Sequence, residues 1–164
     1  MREVLLVPER GAGEKPSRPT PSGALESARR LVKRECDRPA KSRLSPDGIA
    51  EALYRACDLV VRNLRESMGD DGCDALFARA ISRTEALHPV IKQLRDSRES
   101  GLSRAHLSDA VTADEGAARA GVESLLAGLI EILARLIGED MALRIIDRDS
   151  NRDLPPPDAS GAPS

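Results

Sequence analysis

Three cysteines and two histidines are the residues of this sequence best suited to nucleophilic, acid–base or metal chemistry. The cysteines are Cys36, Cys57 and Cys73, and none stands in a C-x-x-C arrangement. A zinc site needs four ligands on one tetrahedron, but Cys57 lies about three turns before Gly69 and Cys73 about one turn after it. An antiparallel helix pair would separate these two thiols along its axis. We therefore predict buried thiols rather than a metal site or a nucleophile.

The histidines, His88 and His106, offer little support for catalysis. His88 precedes Pro89 in the last turn of a predicted helix, where an imidazole pairs with free carbonyl groups. Phosphotransfer through His106 is the third and least supported hypothesis, because the short segment around it contains no lysine. Phosphate-binding glycine loops, nucleophile elbows and HExxH motifs are also missing from the sequence. We predict no catalytic residue, no metal ligand and no cofactor, in a protein that is not an enzyme.

The composition excludes several classes of binding protein. The 164 residues include one Tyr, one Phe and no Trp, whereas base-stacking RNA platforms, aromatic cages and carbohydrate sites need aromatic faces. The odd and sparse cysteine count favours a reducing cytoplasm, and the excess of arginine over lysine favours a GC-rich bacterial genome. Every apolar segment falls short of the roughly 20 residues that cross a bilayer. We therefore expect a cytoplasmic protein without membrane association.

Charge divides the chain into a basic beginning and an acidic remainder. Residues 1–45 hold eleven basic and six acidic side chains among scattered Pro, Gly and Ser. Such a segment buries too little apolar surface to offset chain entropy. Residues 1–44 are therefore predicted to be a disordered basic arm, in which Ala24–Cys36 forms at most a transient helix. Three consecutive prolines predict that residues 147–164 are a disordered Pro-rich tail.

The remaining residues, 45–146, are predicted to be an all-α domain that folds without either end of the chain. Ser45 followed by Pro46 starts a helix with one apolar face, and Gly69 ends it. A second amphipathic helix then runs to about Leu87. The short connection makes the pair an N-terminal antiparallel hairpin.

The longest helix is predicted further along the chain, after a brief helix at Val90–Asp96 and a short one capped by Ser103. Thr112 and Glu115 match a capping box that opens this long helix, which runs from about Ala113 to Ile137. Its apolar side chains cover an arc of roughly 160°. So wide a face requires several neighbours, and we predict the central helix of a small helical bundle.

A glycine is predicted to end the central helix. If the helix continued past Gly138, Asp140 would point into the apolar arc as an unpaired buried charge. A final short helix is expected instead, with Met141, Ile145 and Ile146 packed inward. The sequence shows no convincing strand pattern.

Three segments of the helical region are similar to patterns in small uncharacterised bacterial all-helical proteins. They are Leu76-Phe77-Ala78-Arg79-Ala80, His88-Pro89, and Ile137-Gly138-Glu139-Asp140 leading into Leu143-Arg144-Ile145-Ile146. The resemblance covers about Ile49–Ile146 and excludes both ends of the chain. It implies a recurrent helical domain and carries no activity with it.

The first candidate binding surface is a stripe on the central helix. Its residues are Gly121, Leu125, Gly128, Leu129, Ile132 and Leu136. The two glycines leave an edge where another backbone can come close, and symmetric dimers are the commonest soluble oligomers. The first hypothesis is therefore a non-catalytic interaction module, regulatory or adaptor-like, that forms a homodimer through residues 121–137 or binds a protein partner that the sequence does not identify.

The second candidate surface is a run of seven positive charges within fifteen residues. It consists of Arg29, Arg30, Lys33, Arg34, Arg38, Lys41 and Arg43. Such a run attracts phosphates or acidic proteins, so nucleic-acid or acidic-partner binding through the basic arm is the alternative function. A helix-turn-helix around Thr112 is less favoured, because acidic residues open its supposed recognition helix.

Overall fold

The computed structural model describes residues 21–38, 45–95 and 101–148, and their regular elements are helices. In chain order these are α1 (Pro21–Asp37), α2 (Pro46–Glu85), α3 (Val90–Leu94), α4 (Arg104–Ala113), α5 (Glu115–Ile137) and α6 (Glu139–Ile146). Within the described ranges, β-type pairing is limited to one isolated bridge between Arg95 and Leu102. The all-α prediction is confirmed.

The chain reverses its direction inside α2, at Gly69. This residue has a left-handed φ of 82°, which glycine adopts without the steric cost that a Cβ would bring. It separates the helical segments 46–68 and 70–85. The Sγ of Cys73 lies 3.6 Å from the carbonyl oxygen of Val61, although a straight helix would separate these residues by about 18 Å. The predicted helical hairpin is therefore confirmed.

Two of the three predicted helix caps are confirmed. The Oγ atoms of Ser45 and Ser103 each accept the backbone N–H three residues further on, at 3.1 and 3.4 Å. The predicted cap at Thr112 is wrong, because its hydroxyl donates to a carbonyl four residues back inside α4. Asp114 starts α5 instead, and its carboxylate accepts the N–H of Ala117 at 3.0 Å. A charged carboxylate is the stronger acceptor for the free N–H groups of a helix start.

Helix α5 is the central element of the bundle, as predicted. It contacts each of the other five helices, and twelve of its 23 residues are buried. Leu125, Leu129 and Leu133 are completely covered. The wide apolar arc is therefore explained by helices of the same chain that surround it.

Helix α1 belongs to the same core, which corrects the prediction of a disordered arm over residues 1–44. Ala24, Ala28, Leu31 and Val32 are buried in one apolar cluster with residues of α5. Their spacing of three to four residues places them on one face of the helix. The average composition of the arm concealed this stripe, because charged residues occupy the opposite face. The rest of the predicted arm lies outside the described residues.

Helix α6 follows a helix break at Gly138, as predicted, but buries only part of its predicted inner face. Ile146 is buried, and Asn63 from α2 donates its side-chain N–H to the Ile146 carbonyl at 3.2 Å. Met141 is exposed, which corrects the prediction that it packs inward. Residues 147–148 of the predicted tail form ion pairs with α1 and α2, and residues 149–164 lie outside the described ranges.

Candidate interaction surface

The stripe predicted as a binding surface on α5 lies inside the molecule. Leu125, Leu129 and Ile132 are all buried against other helices of the chain. Leu136 is the one member of the predicted set that exposes most of its side chain. A second copy cannot reach the buried residues without displacing neighbouring helices. The prediction that this stripe forms a dimer surface is therefore wrong for its buried residues.

The two glycines of the stripe serve contacts within the chain. A Cβ on Gly121 would lie 3.0 Å from Cγ1 of Val90, which shows that α3 packs tightly onto α5 there. A Cβ on Gly128 would lie 3.7 Å from Oγ1 of Thr84 and 4.0 Å from Cβ of Ala80. The small-residue edge was correctly recognised, but α2 and α3 occupy it.

Gly128→Ala is expected to stabilise the protein by about 0.5–1 kcal/mol, because alanine favours a helix interior and its Cβ finds ordinary contacts. Gly121→Ala makes the same helical gain but must displace Val90 and Ile91. We expect it to be about 1–2 kcal/mol less stable than Gly128→Ala. Urea denaturation of both variants measures the difference, and equal stabilities would contradict the close packing of α3 on Gly121.

The basic arm faces carboxylates of its own chain wherever the structure describes it. Its described residues form the pairs Arg29–Glu123 at 3.5 Å, Arg30–Glu26 at 2.9 Å, Lys33–Asp37, Arg34–Asp147 at 3.1 Å and Arg38–Glu35 at 3.5 Å. Lys41 and Arg43 lie outside the described residues. These ion pairs reduce the positive field that this part of the arm offers to phosphates.

The thiols are covered to different degrees. Cys57 and Cys73 are buried, as predicted, and Cys36 is half-buried. Burial raises the pKa of Cys57 to about 12 and raises the pKa values of Cys36 and Cys73 as well. In the described part of the chain, no three His, Cys, Asp or Glu side chains are placed to hold a metal ion.

Iodoacetamide is expected to modify Cys36 before the other two thiols in the native protein, because the reagent needs both access and a thiolate. The reaction with Cys36 should be slower than with a free peptide thiol at the same pH, since its raised pKa reduces the thiolate fraction. Peptide mass spectrometry after a timed reaction gives the order. Faster modification of Cys57 than of Cys36 would contradict the packing of α2.

A hydroxyl–imidazole contact that the sequence did not indicate joins the end of α2 to α5. The Nε2 of His88 lies 2.9 Å from the Oγ of Ser124, and both side chains are partly buried. The backbone N–H of His88 donates to the Thr84 carbonyl at 2.7 Å. The contact fits a structural connection after the helix end.

A crevice between α1 and α2 holds a buried carboxylate. Glu35 is 4% exposed, and its Oε2 lies 3.5 Å from Nη1 of Arg38 and 3.6 Å from Nε of Arg55. The space beside them, next to Cys36 and Ile49, has room for about one water molecule. The cluster is therefore a charged connection between two helices rather than a ligand pocket.

The clearest exposed apolar cluster lies where α5 meets α6, and we call it the α5–α6 corner. Leu136 is 67% exposed, Ile137 43% and Met141 49%, on the two sides of Gly138. Leu87 is more exposed still, at 79%, but it lies in the turn that follows α2. The feature of the sequence that marks this exposed cluster is the helix break at Gly138, because side chains at a sharp turn between two helices extend beyond the neighbouring helices.

Charged residues neighbour these apolar side chains along the chain, on both sides of Gly138. They are Arg135, Glu139, Asp140 and Arg144, which we call the rim charges. None of the four forms an ion pair within the described residues, whereas most charges on α1 and α2 do. An apolar centre inside a polar rim is the usual anatomy of a protein-binding surface. The structure therefore places the best candidate surface at the α5–α6 corner.

Comparison with known proteins found no match among family models, curated proteins or solved structures. None of the helices in the described ranges combines the length and the apolar character that crossing a bilayer requires. The fold and the chemistry of its surface are therefore the observations from which a function is inferred.

Proposed function

We propose that this protein is a non-catalytic helical interaction module that binds a partner protein at the α5–α6 corner. The observation that carries the proposal is the exposure of Leu136, Ile137 and Met141 inside a rim of charges that have no partner within the described residues. Exposed leucine, isoleucine and methionine give up contact with water when a partner covers them, which favours association. A module that binds a partner protein and catalyses no reaction acts as a regulator or an adaptor, and this role is part of the proposal.

The size of the corner indicates the kind of partner. The three exposed fractions correspond to roughly 300 Å² of apolar surface, within the range of a single functional patch. A standard protein–protein interface buries about 800 Å² on each partner, so the corner alone is too small to hold a stable homodimer. It suits a short amphipathic segment that presents two or three large apolar side chains, as in helix-in-groove recognition.

Selection from a random peptide library with the full chain as target tests this proposal. We expect the enriched peptides to carry Leu, Ile, Met or Phe at positions i and i+3 or i+4. Their affinity should fall at least about tenfold for a Leu136→Gln/Met141→Gln variant, since two buried apolar contacts are lost. Leu87→Gln is the control, because it also replaces an exposed leucine with glutamine, in the turn that follows α2, and it should leave the affinity unchanged.

Two results would overturn the proposal. Peptides that bind the double glutamine variant as tightly as the parent would place binding elsewhere on the molecule. A stable dimer in light scattering that dissociates in the double variant would assign the corner to a second copy instead of a peptide segment.

Nucleic-acid binding through the basic arm has no supporting observation among the described residues, where each cation of the arm faces a carboxylate. Salt-sensitive binding of random-sequence DNA to the full chain would favour this alternative over the interaction module.

A further inference from the structure

We infer that the partner segment at the α5–α6 corner carries acidic residues beside its apolar ones, and that Arg79 and Arg135 pair with them. This inference deepens the proposed function, because it names the chemistry of the partner, and it rests on that function. The observations behind it are the packing of α2 on α5 next to the corner and the charges that this packing brings together.

The second half of α2 runs antiparallel to α5. Nη2 of Arg83 lies 3.1 Å from Oε2 of Glu131. Five residues further along α2, the Nε2 of His88 lies 2.9 Å from the Oγ of Ser124. An advance along α2 therefore corresponds to a step back along α5, and the Arg83–Glu131 pair marks corresponding positions on the two helices.

One helical turn from this pair, toward the corner, the two helices present like charges. Arg79 precedes Arg83 by four residues, and Arg135 follows Glu131 by four, which is about one turn, or 6 Å, on each helix. Both arginines are exposed, and the exposed Leu136 comes directly after Arg135. Two guanidinium groups therefore lie on the same side of α2 and α5, at the edge of the corner.

These two arginines are not neutralised by the chain itself as far as the structure describes it. Neither Arg79 nor Arg135 forms an ion pair with a described residue, whereas Arg83 is paired with Glu131. Asp74, five residues before Arg79, pairs with Arg65 instead. The edge that α2 and α5 share is therefore positive beside the apolar side chains.

Helix ends compensate the rim charges but not Arg79. The four rim charges sum to zero, and each stands in a first or last helical turn. Free N–H groups favour acids in a first turn, and free carbonyl groups favour bases in a last turn. Arg79 lies inside α2, six residues before the helix ends at Glu85. Its charge is the one that most needs a carboxylate from outside.

A protein segment supplies such carboxylates better than a nucleic acid does. A guanidinium binds a carboxylate through two parallel hydrogen bonds, and arginine is enriched among the residues that dominate binding energy. Glu139 and Asp140 follow Arg135 within five residues and would repel a continuous row of phosphates. The favoured partner is an amphipathic segment with Asp or Glu within one turn of an apolar anchor that contacts Leu136.

Peptide selection against the full chain provides the first measurement. Corner-binding peptides are those that lose affinity for the Leu136→Gln/Met141→Gln variant, and we expect them to contain more Asp and Glu than Lys and Arg. One such acidic peptide is then measured against an Arg79→Glu/Arg135→Glu variant. Its affinity should fall at least about tenfold, because two attractive pairs become repulsive.

A charge exchange separates recognition of the acids from a general loss of structure. When Lys replaces the acidic residues of the same peptide, the basic peptide should bind the Arg79→Glu/Arg135→Glu variant more tightly than it binds the parent chain. Such a recovery requires a folded variant with an intact apolar corner.

Lys92→Glu/Arg95→Glu is the matched control, because it changes the net charge by the same amount at two exposed positions. These residues belong to α3 and its end, and α3 packs against Gly121. Gly121 lies fifteen residues before Leu136, or about 22 Å along α5. The control should leave the affinities of both peptides unchanged.

Four results would overturn this inference while leaving the proposed function intact. They are corner-binding peptides without an acidic excess, an acidic peptide that binds the Arg79→Glu/Arg135→Glu variant as tightly as the parent, an equal loss in the α3 control, and displacement of the peptide by random-sequence DNA at the same salt concentration. A selection that yields no corner-binding peptide would contradict the proposed function, and this inference with it.

Discussion

Removal of residues 1–44 is expected to lower the melting temperature by about 10 °C or more, or to abolish the cooperative transition. The reason is the loss of α1 from the core. Leu31 and Val32 are buried within it, and each contributes about 1.5–3 kcal/mol by leaving water. The combined loss approaches the total stability of an ordinary domain, about 5–15 kcal/mol. Thermal denaturation followed by circular dichroism measures the effect.

A chain that starts at residue 21 is the matched control for this deletion. It keeps α1 and its ion pair with Glu123, so we expect its melting temperature to stay close to that of the full chain. If the chain that starts at residue 45 melted like the full chain, α1 would not be part of the core. The composition of residues 1–44 predicts that the chain starting at residue 45 melts like the full chain. The burial of α1 predicts instead that it melts at a lower temperature.

Leu129→Ala is expected to destabilise the protein by about 2–5 kcal/mol, the range for a leucine replaced in a packed core. Leu129 is fully buried in the middle of α5, which other helices surround. The cavity left by the missing side chain cannot be filled without moving one of those helices. Urea denaturation gives the change in the free energy of unfolding.

Leu87→Ala makes the same chemical change at an exposed position and serves as the control. It should cost less than about 0.5 kcal/mol, as surface substitutions usually do. Similar losses for the two variants, or a loss below about 0.5 kcal/mol for Leu129→Ala, would contradict the central position of α5.

Helix breaks were predictable from the sequence because they depend on local chemistry. Gly69 and Gly138 adopt left-handed φ values, and both were recognised as helix ends. Ser45 and Ser103 cap the helices that follow them, as their positions predicted. The cap of α5 was misplaced because Thr112 and Asp114 are both good capping residues, and a local pattern does not decide between them.

Which helices cover one another was not predictable from local patterns. The apolar arc of α5 correctly indicated several neighbours, but no pattern showed that α1 was one of them. The spacing of Gly121 and Gly128 predicts an edge for close approach, and only the fold shows that α2 and α3 fill it. Of the three apolar residues at the α5–α6 corner, Leu136 alone belongs to the surface stripe that the sequence predicts. Met141 was predicted to pack inward, and its exposure depends on how α6 packs after Gly138, which no local pattern shows.

The pairing of α1 with α5 also has a consequence for synthesis on the ribosome. Arg29 is made early, but its partner Glu123 is made much later, after roughly 5 to 20 seconds of further elongation. During that delay the apolar face of α1 lacks the surface of α5, although it can already contact the hairpin of α2, which folds from contacts between neighbouring segments. Part of the hydrophobic stripe on α1 therefore stays uncovered until α5 has been made.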